Sequence, residues 1–279
     1  MKIKPAHKTK PGGNQTEVSI AQKQFEQAHI KYHRFIRSTR ILLLILFLTL
    51  WEYAADTGLV DSFFFSSPSR VVYCFFELLQ KKSLLTHISV TLFETVISFL
   101  LVLIISLGTA TLLWHSRKLS EILEPYLVVL NSLPKSALAP LLIVWLGTGI
   151  NTIIVAGISV ALFGAVISLY TGFLQVDAQK LLLIQTLGGS RRDAFTKVVL
   201  PASVPTILST MKVNIGLALV GVIIGEFLAA RRGLGYLIIY GSQVFQLNML
   251  ITSILILCAI AMGLYQIIQG IEHAYKKRT

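Results

Sequence analysis

The sequence predicts an all-α integral membrane protein with about six transmembrane helices. Its composition, the lengths of its apolar segments and the placement of its cationic residues carry this prediction. Of the 279 residues, 54% are hydrophobic and 14% are charged, and the mean hydropathy is +0.72. Soluble domains carry about 25% charged residues, so the deficit indicates a chain that crosses a membrane several times.

Six apolar segments are long enough to cross a bilayer, which takes about 20 helical residues. They cover residues 37–55, 88–114, 122–146, 150–173, 206–228 and 247–270. Pro125, Pro134 and Pro140 are expected to break the third segment, because proline removes a backbone hydrogen bond and clashes with the preceding turn.

The spans define a transmembrane domain over residues 37–272, with a basic cytoplasmic tail on either side. Residues 1–36 are expected to be partly disordered, and residues 273–279 form the second tail. Residues 21–37 either form an amphipathic helix on anionic lipid or stay solvated. The aromatic stretch after the first span predicts an interfacial helix that begins near Ser69, with a plain loop as the alternative.

The lysine and arginine residues place both termini in the cytoplasm. Eighteen of the 25 fall on the side that contains the termini, and five fall on the opposite side. Cytoplasmic loops are the ones enriched in these residues, so the chain is expected in the cell membrane as a multi-pass protein. The net charge of +12 follows from this topology, and no nucleic-acid partner is expected.

Catalytic and metal-binding patterns are missing from the sequence. Cys74 and Cys258 are too few and too far apart for a metal motif, and the histidines show no metal-ligand spacing. The spans lack a nucleophile with a base, so we expect neither an enzyme nor a metal site. The chain also lacks a GxxxxGK[ST] phosphate loop, so no cofactor is expected on this chain.

The cytoplasmic loop of about residues 174–204 carries the most distinctive pattern. Gly188 and Gly189 permit a sharp turn, and Ser190 with Asp193 forms a capping-box pattern at the start of a helix. That helix places Phe195, Val198 and Val199 on one side, and Pro201 and Pro205 are expected to end it. From the residues alone, its partner is either the lipid headgroups or another protein.

This loop resembles the signature loop of permease subunits in ATP-binding-cassette (ABC) importers, written EAA-x3-G-x9-I-x-LP. Gly188 matches the glycine, Leu200 and Pro201 match the LP pair, and Val198 replaces the isoleucine. Further fragments resemble the nitrate, sulfonate, taurine and bicarbonate branch in the same order: FFFSSPSRVV, NSLPKSALAPLLIVWLGTGIN, TLGGSRRDAFTKVVLPASVPTIL and GVIIGEFLAARRGLGYLI. One departure is that leucine and isoleucine occupy positions 182–184, where the family usually has Glu followed by small residues.

The resemblance implies a type I ABC importer transmembrane fold and a set of partners. Two ATPase subunits would use ATP, a second permease subunit would complete the path as a homodimer, and an external solute-binding protein would deliver the solute. The residues that it assigns to ATPase coupling are Leu187, Gly188, Gly189, Ser190, Arg191, Arg192, Phe195, Val198, Leu200 and Pro201. Phe195 is expected to be the apolar anchor in a groove of the ATPase, with the two arginines at its rim.

Polar residues inside the spans are candidates for the substrate path, because they are costly in hydrocarbon. They are Ser132, Lys135, Ser136, Asn214 and Glu226. Their alternative role is to pair across helices. Lys135 favours a small anion such as a sulfonate, nitrate or bicarbonate, and a vitamin precursor or an ion-coupled secondary transporter are the alternatives. The segment of residues 229–238 is expected to be an external loop that docks the binding protein or closes an outer gate.

Overall fold

Helices account for all regular secondary structure in residues 14–61 and 65–277, which the computed structural model describes. In chain order they are α1 (Asn14–Asp56), α2 (Pro68–Gln80), α3 (Ser83–His115), α4 (Arg117–Ser132), α5 (Lys135–Leu146), α6 (Ile150–Leu174), α7 (Ala178–Thr186), α8 (Arg191–Ala194), a π-helical turn (Phe195–Val199), α9 (Leu200–Ala202), α10 (Val204–Ala229), α11 (Leu234–Gln243) and α12 (Leu247–Lys276).

The chain divides into two compact units, one up to Pro68 and the other from Ser69 onward. In the first unit, α1 is a single helix of 43 residues that contains the predicted span of residues 37–55. Residues 14–36 are therefore helical, in agreement with the helix alternative for residues 21–37, and partial disorder of the tail stays a prediction. Residues 1–13 of that tail lie outside the described residues.

Four helices are long and apolar enough to cross a membrane: α3, α6, α10 and α12. The pair α4 and α5 passes the same test as one span that bends by 96° between its halves. These five agree with five of the six predicted spans. The sixth, residues 37–55, is helical within α1, and its place in the bilayer stays a prediction.

The bend between α4 and α5 lies at Leu133 and Pro134 alone. Both residues have extended backbone angles, with a ψ of 138° at Leu133 and 100° at Pro134. The extended conformation of Leu133 is expected, because a proline clashes with a helical conformation of the residue before it. Pro125 and Pro140 lie inside α4 and α5. The prediction that they also break the span is wrong, because each removes one backbone hydrogen bond without ending its helix.

Close packing of α3, α6 and α10 forms the centre of the second unit, and glycines permit it. A Cβ atom on Gly221 of α10 would lie 2.8 Å from the carbonyl oxygen of Ala156 and 2.8 Å from the Cα of Gly157, both in α6. Small residues at such crossings let helix backbones approach closely in membrane proteins. The short helix α2 packs within the second unit as well. The Thr252 hydroxyl of α12 donates a hydrogen bond to the Val71 carbonyl of α2 at 3.3 Å.

We expect Gly221→Ala to lower the free energy of unfolding by about 1–3 kcal/mol, because the added methyl group overpacks the α6–α10 crossing. Gly216→Ala on the same helix is the matched control, since its Cβ would meet no atom within 4 Å. Thermal unfolding of both purified variants in one detergent measures the difference. Equal stability of the two variants would contradict this account of the crossing.

Candidate functional site

The segment of residues 175–203, here called the short-helix segment, joins α6 to α10 and contains the predicted loop. Two glycines shape the turn between α7 and α8. Gly188 has a φ of +77°, which favours glycine, and a Cβ on Gly189 would lie 2.9 Å from the carbonyl oxygen of Ile184. The turn therefore requires glycine at both predicted positions, for two different reasons.

The predicted capping box at the start of α8 is confirmed. The Ser190 hydroxyl accepts a hydrogen bond from the Asp193 N–H at 3.2 Å, and the Asp193 carboxylate accepts one from the Ser190 N–H at 3.0 Å. The carboxylate also accepts from the Ser190 hydroxyl at 2.5 Å and pairs with Lys197 at 2.9 Å. The Ser190 hydroxyl, followed by Lys197, holds the pKa of Asp193 well below its usual range. The cap is therefore charged at neutral pH.

Helical structure continues from Arg191 to Ala202, and the expectation that Pro201 ends it is wrong. A π-helical turn precedes the proline, in which the Leu200 N–H binds the Phe195 carbonyl oxygen. Pro201 then lies in the first turn of α9, where a missing N–H is tolerated. Pro205 lies in the first turn of α10 in the same way, and Ser203 separates the two helices.

Phe195 faces the spans and not the outside of the protein. Its side chain is 6% exposed, and its ring centroid lies 5.2 Å from that of Trp114, 5.3 Å from His115 and 5.5 Å from Phe173. These rings belong to the ends of α3 and α6. The prediction of Phe195 as an anchor in a partner's groove is therefore wrong, because its own chain already buries it.

Arg191 and Arg192 have different environments despite their adjacency. The Arg191 guanidinium donates a hydrogen bond to the Trp114 carbonyl at 2.9 Å and lies 5.3 Å from the centroid of the Trp114 ring. This geometry combines a charge-assisted hydrogen bond with a cation–π contact. Arg192 is exposed. Arg191 thus binds the helix to α3, and Arg192 is available to a partner.

Three leucines form an exposed apolar surface beside this helix, here called the leucine patch. Leu182 is 60% exposed, Leu183 is 59% exposed and Leu187 is 74% exposed. Of these, only Leu187 is among the coupling residues that the family resemblance predicts, and the other two depart from the family pattern. Among the remaining predicted residues of the helix, Val198 and Leu200 are half-buried and Pro201 is exposed, while neighbouring Val199 is buried.

The predicted substrate-path residues do not form one group. Ser132, Lys135 and Ser136 lie together at the bend between α4 and α5, where the Lys135 ammonium donates to the Asn131 carbonyl and the Ser132 hydroxyl donates to the Val128 carbonyl at 2.9 Å. Ser132 and Ser136 are exposed within this chain. Exposed polar groups inside a span face water or another protein, because hydrocarbon cannot satisfy them.

Asn214 and Glu226 lie apart from the bend, within α10. Both are buried, and Glu226 is 0% exposed. The Glu226 carboxylate accepts hydrogen bonds from the Thr91 hydroxyl at 2.7 Å and from the Gly235 N–H at 2.5 Å. It therefore pairs across helices, which is the alternative role, and the prediction that it lines an open path is wrong for this conformation.

One further expectation changes near the outer end of α10, since residues 229–238 are not a continuous loop: α11 begins at Leu234. Near the start of α10, Lys212 pairs with Glu272 of α12 at 2.5 Å, and Glu272 also binds Lys276 at 2.8 Å. Across the described part of the chain, no three His, Cys, Asp or Glu side chains are placed to hold a metal ion.

Comparison with known proteins is consistent with this architecture. Residues 101–271 match the family described as binding-protein-dependent transport system inner membrane component. A probable ABC transporter permease protein of Haemophilus influenzae is 32% identical over 241 residues, which cover 86% of this chain and 98% of the relative. A putative aliphatic sulfonates transport permease protein of Bacillus subtilis is 27% identical, covering 79% of this chain and 80% of the relative.

The fold also matches a solved importer structure. A chain of the inward-facing MetNI methionine ABC transporter aligns with a TM-score of 0.61 at 18% identity, covering 70% of this chain and 97% of that chain. The chain therefore belongs to the binding-protein-dependent transport system inner membrane component family and has the type I ABC importer permease fold. It is a membrane transport component and not an enzyme. This result favours an importer over the ion-coupled secondary transporter.

We expect Arg191→Ala to lower the free energy of unfolding by about 1 kcal/mol, because it removes one charge-assisted hydrogen bond and a cation–π contact that are partly exposed to solvent. Arg192→Ala, which changes an exposed neighbour, should alter stability by less than about 0.5 kcal/mol. Hydrogen exchange of residues 190–202 and thermal unfolding measure both effects. Equal exchange rates in the two variants would show that the Trp114 contact does not hold the helix.

Proposed function

We propose that this permease subunit couples solute import to ATP hydrolysis through its short-helix segment. The observation that carries the proposal is the two-sided construction of this segment. Phe195 and Arg191 attach it to α3 and α6, while the leucine patch and Arg192 are exposed. An apolar surface with a cationic neighbour is typical of a protein-binding surface, in which an apolar centre is surrounded by polar groups.

The proposed partner is the ATPase subunit of the importer, bound from the cytoplasm. The proposed cytoplasmic orientation of this segment and both termini is supported by the distribution of lysine and arginine along the sequence. ATP would be bound by that partner, because this chain has no phosphate loop. The leucine patch would then contribute an apolar contact at positions 182 and 183, where the family pattern usually has Glu and a small residue.

Movement of the ATPase subunits would reach the spans through Phe195. Because its ring packs against residues at the ends of both α3 and α6, a displacement of α8 displaces these two spans together. Such a rigid connection can shift the population between inward-facing and outward-facing states when ATP binding closes the ATPase pair. The π-helical turn lies within this connection.

A second permease subunit would complete the path, and we propose a second copy of this chain. The exposed polar groups at the α4–α5 bend require water or protein beside them. Two bends facing each other would enclose a polar passage, with the Lys135 ammonium attracting an anion. The resemblance to sulfonate permeases supports a small anion such as a sulfonate, nitrate or bicarbonate, delivered by a solute-binding protein outside the membrane.

Loss of the leucine patch should weaken ATPase binding and leave the permease folded. We expect Leu182→Asp with Leu183→Asp to weaken binding at least about tenfold, because each leucine contributes about 1.5–3 kcal/mol when fully buried. The conservative Leu182→Met with Leu183→Met keeps an apolar surface and is the matched control. Co-purification with the ATPase subunit, together with uptake, measures the effect. Full ATPase binding and uptake in the aspartate variant would contradict the proposal.

Substitution of Lys135 should affect transport and not ATPase binding. We expect Lys135→Met to lower the uptake of a transported anion at least about tenfold, since a favourable charge in a low-dielectric passage is removed. Lys135→Arg retains the charge and should keep most of the uptake. Uptake of taurine, nitrate, bicarbonate and a vitamin precursor by membrane vesicles would be compared. Selective transport of the uncharged precursor, with no effect of either substitution, would replace the anion with that alternative.

A further inference from the structure

Two buried glutamates from different helices meet within the bundle. Glu94 of α3 is 2% exposed, and Glu226 of α10 is 0% exposed. A hydrogen bond joins their side chains. Such a bond needs a proton on one of the two carboxyl groups, because ionised carboxylates can only accept hydrogen bonds. The pair therefore contains at least one proton in this conformation.

The other contacts of Glu226 assign the negative charge to it. Its Oε1 atom accepts a hydrogen bond from the Thr91 hydroxyl at 2.7 Å, and its Oε2 atom accepts one from the Gly235 N–H at 2.5 Å. Gly235 lies in the first turn of α11, and the N-terminal end of a helix favours a negative charge. Both oxygens of Glu226 thus act as acceptors, as expected for a carboxylate.

Glu94 is the member of the pair that holds the proton. Its Oε2 atom is buried and has no hydrogen-bond partner among the described residues. Within the same residues, neither glutamate takes part in a salt bridge. A second negative charge on Glu94 would be uncompensated and would repel Glu226 at hydrogen-bond distance. A neutral carboxyl group avoids both costs by donating its O–H to Glu226.

We propose that Glu94 and Glu226 form a binding site for a single proton, here called the carboxyl dyad, and that this proton holds the start of α11 against α3. Glu226 makes the connection, since it binds Thr91 of α3 and the Gly235 N–H of α11. The Thr91 hydroxyl also accepts a hydrogen bond from the Leu234 N–H at 2.8 Å. The first turn of α11 is therefore fixed by the groups that surround the proton.

The backbone of α11 approaches the dyad so closely that a shift of Glu226 must disturb it. Gly233 has a φ of +117°, and its Cβ position is occupied by the Glu226 carboxyl group. A Cβ on Gly235 would lie 2.8 Å from the Glu226 Cβ. Transfer of the Glu94 proton to water would leave two carboxylates in contact, and their repulsion would separate the side chains that hold this turn.

The ionisable groups around the dyad differ from it in their effect. Among the described residues, Glu226 is the one charged group that acts on Glu94. His87 of α3 accepts a hydrogen bond from the Gly233 N–H at its Nδ1 atom, at 2.9 Å. Protonation of that atom at low pH would remove the acceptor, so His87 would loosen the turn as the pH falls and not as it rises.

The elements packed around the dyad carry further ionisable residues. Tyr236 of α11 stacks its ring on His87, with the centroids 6.1 Å apart. The others are the exposed Arg231 and Arg232 in the turn before α11, Cys74 and Glu77 on α2, Lys135 on α5, Tyr170 on α6 and Cys258 on α12. None of these is a counter-ion of Glu94.

Hydrogen exchange of the purified permease in nanodiscs tests the dyad at the N–H groups of residues 233–235. Opening of this turn brings Glu94 into water, where a glutamic acid ionises above about pH 4.3. Because one proton is then released on opening, protection should fall about tenfold for each unit of rising pH. Protection is the intrinsic exchange rate divided by the observed rate at the same pH. The Asp193 N–H, which Ser190 caps, is the internal control and should show no such fall.

Glu94→Gln should abolish this dependence on pH. The glutamine amide can donate a hydrogen bond to Glu226 but has no proton to release, so protection should stay constant within about threefold. Glu121→Gln changes an exposed carboxylate and should keep the wild-type dependence. Constant protection in the wild type, or the same fall in Glu94→Gln, would contradict the proposal. Protection that rises with pH would assign the titration to His87 instead.

Infrared spectroscopy detects the proton directly. The carbonyl stretch of a protonated carboxylic acid is separate from the carboxylate bands, and the wild type should show it at neutral pH. Glu94→Gln should remove this band, and Glu121→Gln should retain it. Absence of the band in the wild type would show that both glutamates are ionised and would overturn the proposal. Neither measurement needs the ATPase subunit or a solute, so both outcomes are independent of the proposed function.

Discussion

The packing of Phe195 against Trp114, His115 and Phe173 is the contact on which the rest of the account depends. It joins the short-helix segment to the ends of two transmembrane helices, and Arg191 strengthens the same junction by binding the Trp114 carbonyl. Without this junction, an exposed helix could bind a partner without moving the spans. With it, the segment is attached to the bundle and still exposes the leucine patch to the proposed partner.

The opposite end of α10 is fixed by polar contacts instead of aromatic packing. The N–H groups at the start of α11 are satisfied by His87, Thr91 and Glu226, since the first N–H groups of a helix have no partner in its own backbone. Both ends of α10 therefore adjoin short helical segments that contact α3. A helix of 26 residues is about 39 Å long at 1.5 Å per residue, enough to connect the two faces of a membrane.

Local patterns in the sequence predicted the elements, and contacts between distant residues decided their roles. Span positions and the Ser190 capping box follow from hydropathy and short-range spacing. The structure confirms the cap, four helices long and apolar enough to cross a membrane, and the bent pair α4–α5. Periodicity identified an apolar face containing Phe195, but it cannot show whether that face meets the bundle or a partner. The sequence identifies Glu226 as costly in a span, but it does not identify its hydrogen-bond partners. These are Thr91, 135 positions before it, and Gly235, nine positions after it. The exposure of Leu182 likewise depends on how α7 packs against its neighbours, which local spacing in the sequence does not reveal.

The most direct test of the junction is a distance measurement between spin labels at Leu85, an exposed position near the start of α3, and Thr196, an exposed position in the π-helical turn. Double electron–electron resonance would be recorded on the permease–ATPase complex without nucleotide and with ATP trapped. If the segment and α3 move together, one narrow distance should persist in both states. A broad distribution, or a shift of several ångströms on ATP binding, would show that the segment moves independently and would contradict the account.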